Sequence, residues 1–584
     1  MGTFNRTRLY APFLALVAFQ ALLVALLPST SGTGDPAAEF AGGSAPPTEE
    51  GPAATSTGDA LLGQQSTSGR GDAGDDATIG ATADGATAEE DRAAEPGADA
   101  GGAPAEGTDE AGAGEVAAAA GDTSHCAEDG RQTDVVTHVP ECQPVFEGDN
   151  GGATYQGVTE DSIRVVWFTT ETNEQVAAIG QSAGSASEED SRWHLRMVIG
   201  WINDTYELYG REIDLRIFEA DCPDTPPDVP ACRAEARQML QEHDPFAVIW
   251  STPLYPEIFD EFAREGVLSI GGMGFGEEFY NARRPYRWDL TMEGTKAGEF
   301  VAEYYCKKLA GENASHAGQL IHPTIGTRES TRRKMGIITP ETEANIAAAN
   351  RVRELVAECD GQEVPLATYE SNIERAQEQS TARTALMINE NVTTVVCMCD
   401  PISPIFTTTA FTSQQYYPEH LLVGMIGMDF DQVGRLYEPS QWQHAFGISH
   451  ISQPPPEEES AGHRIHRAAE AEGEPRCQCS TQTHYSLLLG RMLQNAGPQL
   501  TPHAIEEGMF NAPVRGGWEN TGGDPEQQLH RFGPDNYTAN SDVREVYWDG
   551  SAISENDGEP GAYIPMNDGR RYTIGELTTD FDIP

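Results

Sequence analysis

Cysteines carry the most specific chemical signal in this sequence. There are ten of them, and protein thiols either form disulfides or bind metal ions such as zinc. An even number, in a chain that begins with what we interpret below as an export signal, favours disulfides. Closeness along the chain suggests two pairs, and the ends of two predicted helices suggest a third: Cys126 with Cys142, Cys222 with Cys232, and Cys306 with Cys359.

The other four cysteines form two Cys-x-Cys pairs, Cys397 with Cys399 and Cys477 with Cys479. Four thiolates make a complete zinc ligand set, so zinc is the alternative to disulfides here. Structural zinc sites usually show Cys-x2-Cys spacing, however, and an oxidising compartment removes free thiols. We therefore treat all ten cysteines as disulfide candidates and expect no metal site.

Two histidines show a spacing that is also found among metal ligands. His463 and His466 lie three residues apart on a predicted helix, so their side chains share one face of it. The neighbouring sequence offers no third ligand. We therefore interpret them as a surface pair.

Motifs for catalysis were sought and not found. The sequence contains no Gly-x-Ser-x-Gly, no His-Glu-x-x-His and no P-loop. Carboxylates and imidazoles are plentiful, but none form a spaced group that requires a catalytic explanation. We therefore expect a protein that is not an enzyme and that needs no cofactor.

The chain is strongly acidic. Asp and Glu outnumber Lys and Arg by 92 to 37, which gives a net charge of −55. Nucleic acids and anionic membranes are bound through basic surfaces, so this charge argues against both as partners. Dense surface carboxylates also keep a protein soluble in salty or alkaline surroundings.

The N-terminal region predicts export. Arg6 and Arg8 precede an almost uninterrupted apolar stretch, residues 9–27, which is the layout of a secretory signal. The stretch is also nearly long enough to span a bilayer, so residues 1–34 are predicted to be a signal peptide or a membrane anchor. Residues 35–123 are rich in Ala, Gly, Thr, Asp and Glu, a composition that predicts a disordered linker. The folded part is therefore expected outside the cytoplasm, free or at the cell surface.

The folded part repeats one pattern, a short apolar β-branched run, a small loop and an amphipathic helix. This alternation predicts parallel sheets whose strands are buried on both faces, flanked by helices. Residues 124–510 exceed what one hydrophobic core normally holds, so we expect two lobes, at about 155–295 and 330–510. Residues 511–584 are rich in Gly, Asn, Asp and Pro, and we predict an irregular C-terminal extension packed on this body.

Several motifs occur in the order found in one known family. They are 157–165 (GVTEDSIRV), 209–213 (YGREI), 219–221 (EAD), 333–338 (RKMGII) and, near the end, 547–549 (YWD), 560–563 (PGAY) and 569–572 (GRRY). Through these motifs and their order, the chain resembles type I periplasmic solute-binding proteins, the class that carries branched-chain amino acids and amides to ABC transporters. The last three motifs resemble C-terminal extensions of large actinobacterial members. The resemblance implies a two-lobed α/β fold with a ligand cleft between the lobes.

The resemblance also implies which residues hold the ligand. Carried across to this sequence, the ligand-binding positions are Thr169, Thr170, Trp250, Ser251, Thr252, Gly272 and Met273 in the first lobe, and Asp400 and Asp429 in the second. Hydroxyls and N–H groups of the first lobe are suited to a ligand carboxylate, and Asp429 matches the acid that pairs with a ligand ammonium. The alternative role of Ser251 and Thr252 is to cap the next helix. The alternative role of Asp429 is that of a turn residue.

The function that follows is capture of a small polar organic solute, such as an amino acid or an amide, outside the cytoplasm. The partners implied are that solute and a membrane permease of the ABC type, with the protein acting as a monomer. The alternative is a membrane-tethered ligand sensor that serves no transporter. An uncleaved N-terminal segment would favour this second function.

Overall fold

The structure is a computed structural model that describes residues 122–580 and 583, except 224–227, 251–255, 273, 425–426 and 525–526. The side chains of Glu171 and Trp250 are also outside the description. The predicted signal (1–34) and the predicted linker up to residue 121 lie outside the described residues. All described residues belong to one compact unit, Gly112–Pro584.

The strands fall into two main sheets and one small hairpin. In chain order they are β1 (Ser162–Glu171), β2 (Glu212–Pro223), β3 (Ala247–Trp250), β4 (Leu268–Ile270), β5 (Arg287–Trp288), β6 (Leu320–His322), β7 (Gly326–Thr327), β8 (Met335–Pro340), β9 (Leu366–Tyr369), β10 (Thr394–Cys397), β11 (Glu419–Leu422), β12 (Ala445–Ser449), β13 (Val543–Ile553), β14 (Pro560–Pro565) and β15 (Arg571–Tyr572).

The α-helices lie between and after these strands. They are α1 (Glu174–Ser182), α2 (Glu188–Thr205), α3 (Val229–His243), α4 (Ile258–Arg264), α5 (Glu277–Asn281), α6 (Gly294–Tyr304), α7 (Glu343–Asp360), α8 (Ala376–Asn389), α9 (Ser403–Ser413), α10 (Asp431–Gly434), α11 (Pro439–Trp442), α12 (Ala461–Ala468), α13 (Ser480–Ala496), α14 (Pro502–Asn511) and α15 (Trp518–Thr521). A π-helical turn, Tyr305–Leu309, continues α6.

The first sheet has the order β2-β1-β3-β4-β5, and all its strand pairs are parallel. The apolar run in β1 explains its central position, because Val165, Val166, Trp167 and Phe168 are all buried although successive side chains point to opposite faces. A strand covered on both faces is typical of a parallel sheet between helix layers. This confirms the predicted α/β class for the first sheet.

The second sheet has the order β14-β13-β12-β11-β10-β8-β9. Its strands from β9 to β12 pair in parallel, whereas β13 and β14 are antiparallel. β8, β11 and β12 are buried at every residue, as the apolar runs predicted. The region predicted to be an irregular extension, 511–584, thus contributes three strands at one end of this sheet, β13, β14 and β15.

The chain passes between the two sheets more than once. α6 leads from the first sheet to the second, and the segment after β12 leads back, because α12 and α13 pack on α2. Leu488, Leu489 and Met492 of α13 share one hydrophobic core with Val165 and Phe168 of β1. The structure therefore places residues 461–511, assigned from the sequence to the second lobe, against the first sheet.

All ten cysteines form disulfides in the structure. The three predicted pairs, Cys126–Cys142, Cys222–Cys232 and Cys306–Cys359, are confirmed, and each Cys-x-Cys forms its own bond, Cys397–Cys399 and Cys477–Cys479. Within the described residues, every helix is too short or too polar to cross a lipid bilayer.

Candidate functional site

The carboxyl ends of the parallel strands supply the candidate site, because side chains and N–H groups there are free of the sheet's own hydrogen bonds. In the first sheet, β1 ends with Thr169 and Thr170. The hydroxyl of Thr169 donates to the carbonyl of Phe218 in the neighbouring strand, at 3.4 Å. The hydroxyl of Thr170 is buried and has no hydrogen-bond partner among the described residues. Of the two, Thr170 has the group that remains available to a ligand.

Gly272 lies beyond β4, at the same edge of the first sheet. Its N–H donates to the hydroxyl of Tyr485, 3.3 Å away, so this donor is used within the protein. A Cβ at this position would lie 2.1 Å from Nη2 of Arg287 and 2.7 Å from Oδ2 of Asp289. Glycine is therefore needed here because the backbone runs directly over a buried ion pair.

That ion pair was not recognised in the sequence. Arg287 and Asp289 are both fully buried, and Nη2 lies 2.8 Å from Oδ2. Asp289 also accepts hydrogen bonds from the hydroxyls of Tyr280 and Tyr485, at 3.0 and 3.1 Å. Tyr485 comes from α13, so the network ties the end of β5 to the helix that returns from the second sheet. Because these donors are far apart along the chain, the local sequence Arg-Trp-Asp gave no sign of them.

In the second sheet, Asp400 follows β10, and its carboxylate is hydrogen-bonded within the protein. Its Oδ1 accepts the backbone N–H groups of Ile402 and Ser403, both at 2.9 Å, at the start of α9. Its Oδ2 accepts the hydroxyl of Tyr369. Such bonds cap a helix. Asp400 thus has partners on both oxygens before any ligand is considered.

Asp429 differs in this respect. The residue is 2% exposed, its Oδ2 accepts the hydroxyl of Ser449 at the end of β12, and its Oδ1 has no hydrogen-bond partner among the described residues. Arg544 is the nearby buried cation: burial lowers its pKa to about 10, and the carboxylates of Asp429 and Asp431 oppose that change. A buried carboxylate with one free oxygen is costly unless something pairs with it.

His450 follows Ser449, and charged groups from both sheets act on its imidazole. Its imidazole is buried, and Nδ1 has no partner among the described residues. Burial lowers the pKa of His450, while the charges of Asp429 and Asp289 raise it. These two carboxylates come from the carboxyl ends of different sheets, and the charge of Arg571 opposes their effect.

The other four predicted positions belong to the part of the chain that the structure does not describe in full. Ser251, Thr252 and Met273 lie outside the described residues, as does the side chain of Trp250. Two surface cavities, of about 570 and 580 Å³, are lined by other parts of the chain. The first lies beside α2 and residues 471–476, and the second beside residues 125–134 and 204–207.

Comparisons with known proteins give structural similarity at low sequence identity. No family model matches the chain, and no curated protein matches it. An ABC transporter substrate-binding protein from Aeropyrum pernix is 13% identical, with 72% of this chain and 97% of that one covered and a TM-score of 0.48. A possible leucine/isoleucine/valine-binding protein from Rhodopirellula baltica is 11% identical, with 69% and 96% covered and a TM-score of 0.45.

A third similar structure is the fatty acid ABC transporter substrate-binding protein from Thermomonospora curvata. It is 13% identical, 73% of this chain and 97% of that one are covered, and the TM-score is 0.46. At these identities and TM-scores the similarity carries no argument about what this chain binds. The order of the sheets and the free polar atoms at their edges are therefore the basis for a function.

Proposed function

We propose that this protein is an extracytoplasmic solute-binding protein that captures a small polar organic solute for an ABC-type importer. The observation that carries the proposal is the buried carboxylate of Asp429, whose Oδ1 has no partner among the described residues. It lies beyond the carboxyl end of β11, the edge at which open parallel sheets bind ligands. Binding without chemistry also agrees with the lack of a catalytic motif in the sequence.

The solute class follows from the groups available at the two edges. An unpaired buried carboxylate is suited to a ligand ammonium, because a charge-assisted hydrogen bond offsets the cost of burying the charge. The free hydroxyl of Thr170 is a donor suited to a carboxylate or amide oxygen. A zwitterionic amino acid, or a small amide with an amino group, has a complementary group for each of them.

Delivery to a membrane is the second part of the proposal. A basic and apolar N-terminal segment favours export, and the charge of −55 argues against nucleic acid as a partner. We infer a monomer that presents its solute to a membrane permease. Mass determination of the N-terminus of the native protein distinguishes a released protein from one tethered through residues 1–34.

Titration calorimetry against amino acids, amides and short peptides tests the binding proposal. D429N keeps an oxygen for the bond from Ser449 but removes the charge, and should weaken binding of amine-bearing solutes by about 2–5 kcal/mol. This corresponds to about 30-fold or more in Kd. The matched control is D431N, because Asp431 is also buried but its Oδ1 accepts the N–H of Tyr563.

A second matched pair tests the first sheet. T170V removes the unpartnered hydroxyl, and T169V removes the hydroxyl that is bonded within the sheet. Only T170V should weaken binding, by about 0.5–1.5 kcal/mol, since it removes one neutral hydrogen bond to the solute. Silence across the whole solute panel, or equal effects of D429N and D431N, would contradict the proposal.

A further inference from the structure

Three elements distant in sequence bring cysteines and histidines together beside α2. A ring nitrogen of His194, in α2, and the two sulfurs of Cys477 and Cys479, just before α13, all lie within 4.8 Å of one another. His463 and His466 belong to α12, which packs on α2 and brings Gly462 against the ring of His194. We call these five residues the Cys-His cluster. Two sulfurs and one imidazole nitrogen at this separation are the donor types that bind thiophilic metal ions.

The hydrogen bonds of His194 leave one particular nitrogen available. Its Nε2 lies 2.7 Å from Oγ1 of Thr483, and the Thr483 hydroxyl donates to the carbonyl of Cys479 at 3.0 Å. If the hydroxyl proton stays on this bond to the carbonyl, Nε2–H is the donor to Thr483. The neutral imidazole then has its lone pair on Nδ1. Metal-binding histidines commonly donate their second N–H in this way.

His194 is buried, and its ring is held by its neighbours. The side chain is 1% exposed. The helix α12 fixes the ring from the other side, since a Cβ on Gly462 would lie 2.8 Å from Cε1 of His194. The imidazole is therefore held in place before any cation arrives.

His463 and His466 supply the second, independent sign of a ligand. The Nε2 atom of each is buried and has no hydrogen-bond partner among the described residues. His466 is 4% exposed, so an unpaired ring nitrogen there carries a desolvation cost. Both residues lie on α12, the helix that packs on α2, where His194 lies.

The sulfurs are oxidised in the structure but accessible. Cys477 and Cys479 are each partly exposed. The cavity of about 570 Å³ beside them is lined by Trp193, Arg476 and Glu472 among others, and the Trp193 ring lies 5.7 Å from that of His466. The cavity thus adjoins the chain neighbours of His194 and Cys477.

We propose that the Cys-His cluster is a redox-gated site for a thiophilic d10 cation, Zn²⁺ or Cu⁺. A dithiol reductant transfers two electrons and two protons to the Cys477–Cys479 bond, which breaks to give two thiols while the reductant closes its own disulfide. The cation then displaces both thiol protons and binds two thiolates and Nδ1 of His194. Three ligands suffice for Cu⁺, whereas Zn²⁺ takes an imidazole of α12 as its fourth.

The experiment uses the purified full chain, treated with a dithiol without oxygen, freed of the dithiol, and then given Zn²⁺, Cu⁺ or the spectroscopic probe Co²⁺. Gel filtration gives the cation bound per chain, and near-ultraviolet absorption reports sulfur bonded to cobalt. The wild type should retain about one cation after reduction and none before it. The double variant C477S/C479S should lose it.

The matched control is C397S/C399S, which removes the other Cys-x-Cys disulfide and should still retain the cation. H194Q should weaken binding at least about tenfold, since removal of even an outer-shell partner weakens metal sites that much. The double variant H463Q/H466Q distinguishes the two ions, because it should no longer bind Zn²⁺ but should still bind Cu⁺. Circular dichroism of each reduced variant confirms that the chain is folded.

Three results would overturn the proposal. The first is equal cation binding before and after reduction. The second is retention by C477S/C479S, which would mean that cysteines elsewhere bind the ion. The third is unchanged affinity in H194Q with its circular dichroism intact.

Discussion

Replacing Glu419 by glutamine removes one charge from a buried ion pair in the second sheet and barely changes the shape of the side chain. Glu419 is fully buried at the start of β11. Arg333 donates to both of its oxygens, from Nε and Nη2, each at 2.9 Å. The hydroxyl of Thr394 and the N–H of His316 complete its contacts, at 2.6 and 3.0 Å. Each of these four donors needs an acceptor, and glutamine offers only one oxygen.

The magnitude follows from what remains after the substitution. Arg333 is also buried, so E419Q leaves a guanidinium without its counter-charge inside the protein. Removing one partner of a buried pair costs about 3–5 kcal/mol. For a body of this size the entropy of unfolding is about 1 kcal/mol per kelvin, which gives a decrease in melting temperature of about 3–5 °C.

Differential scanning calorimetry of the variant measures this directly. E370Q is the matched control, because Glu370 pairs with Arg375 at the surface, where the side chains are 36% and 52% exposed. The control should lose less than about 1 kcal/mol. If E419Q and E370Q melt at the same temperature, the reasoning from burial is refuted.

Three further predictions concern the same body. The variant C306S/C359S loses a disulfide whose cysteines are 53 residues apart, which should lower the free energy of unfolding by about 4 kcal/mol in denaturant titration. Removing either Cys-x-Cys disulfide should lower it much less, because the closed loop is short. Burial lowers the pKa of His420 to about 3, so unfolding takes up a proton there between about pH 6.5 and pH 3. His420 should therefore make stability fall with decreasing pH by up to about 1.4 kcal/mol per unit in that window, and H420Q should reduce the measured slope by that amount in acid titrations followed by fluorescence. G298A should destabilise by about 1–3 kcal/mol in thermal melts although alanine favours helices, since its Cβ would lie 2.8 Å from Val352 Cγ2.

Much of the fold was predictable because strands covered on both faces leave a local signal. The run from Val165 to Phe168 identified β1 and hence the position of Thr169 and Thr170 at its end. The hairpin of β13 and β14 was missed because Gly, Asn, Asp and Pro dominate that region. The signal available was the β-branched and aromatic content of β13, in which Val543, Val546 and Trp548 are buried.

The candidate site was less predictable because its partners are distant along the chain. Asp400 and Asp429 follow strands in the same way, and only the structure distinguishes them. The first is saturated by N–H groups of the next helix, and the second has a free oxygen. Likewise, the sequence could not show that His194, in α2, lies beside Cys477 and Cys479, because almost 300 residues separate them.

The return of α13 to the first sheet has a consequence for how the chain matures. Leu488 and Leu489 join the core that begins at β1, so part of the cover of the first sheet is synthesised about 320 residues after β1. Until then the nascent chain exposes the apolar surface that α13 later covers. Truncation before α13 would therefore harm the first half of the body at least as much as the half that loses the residues.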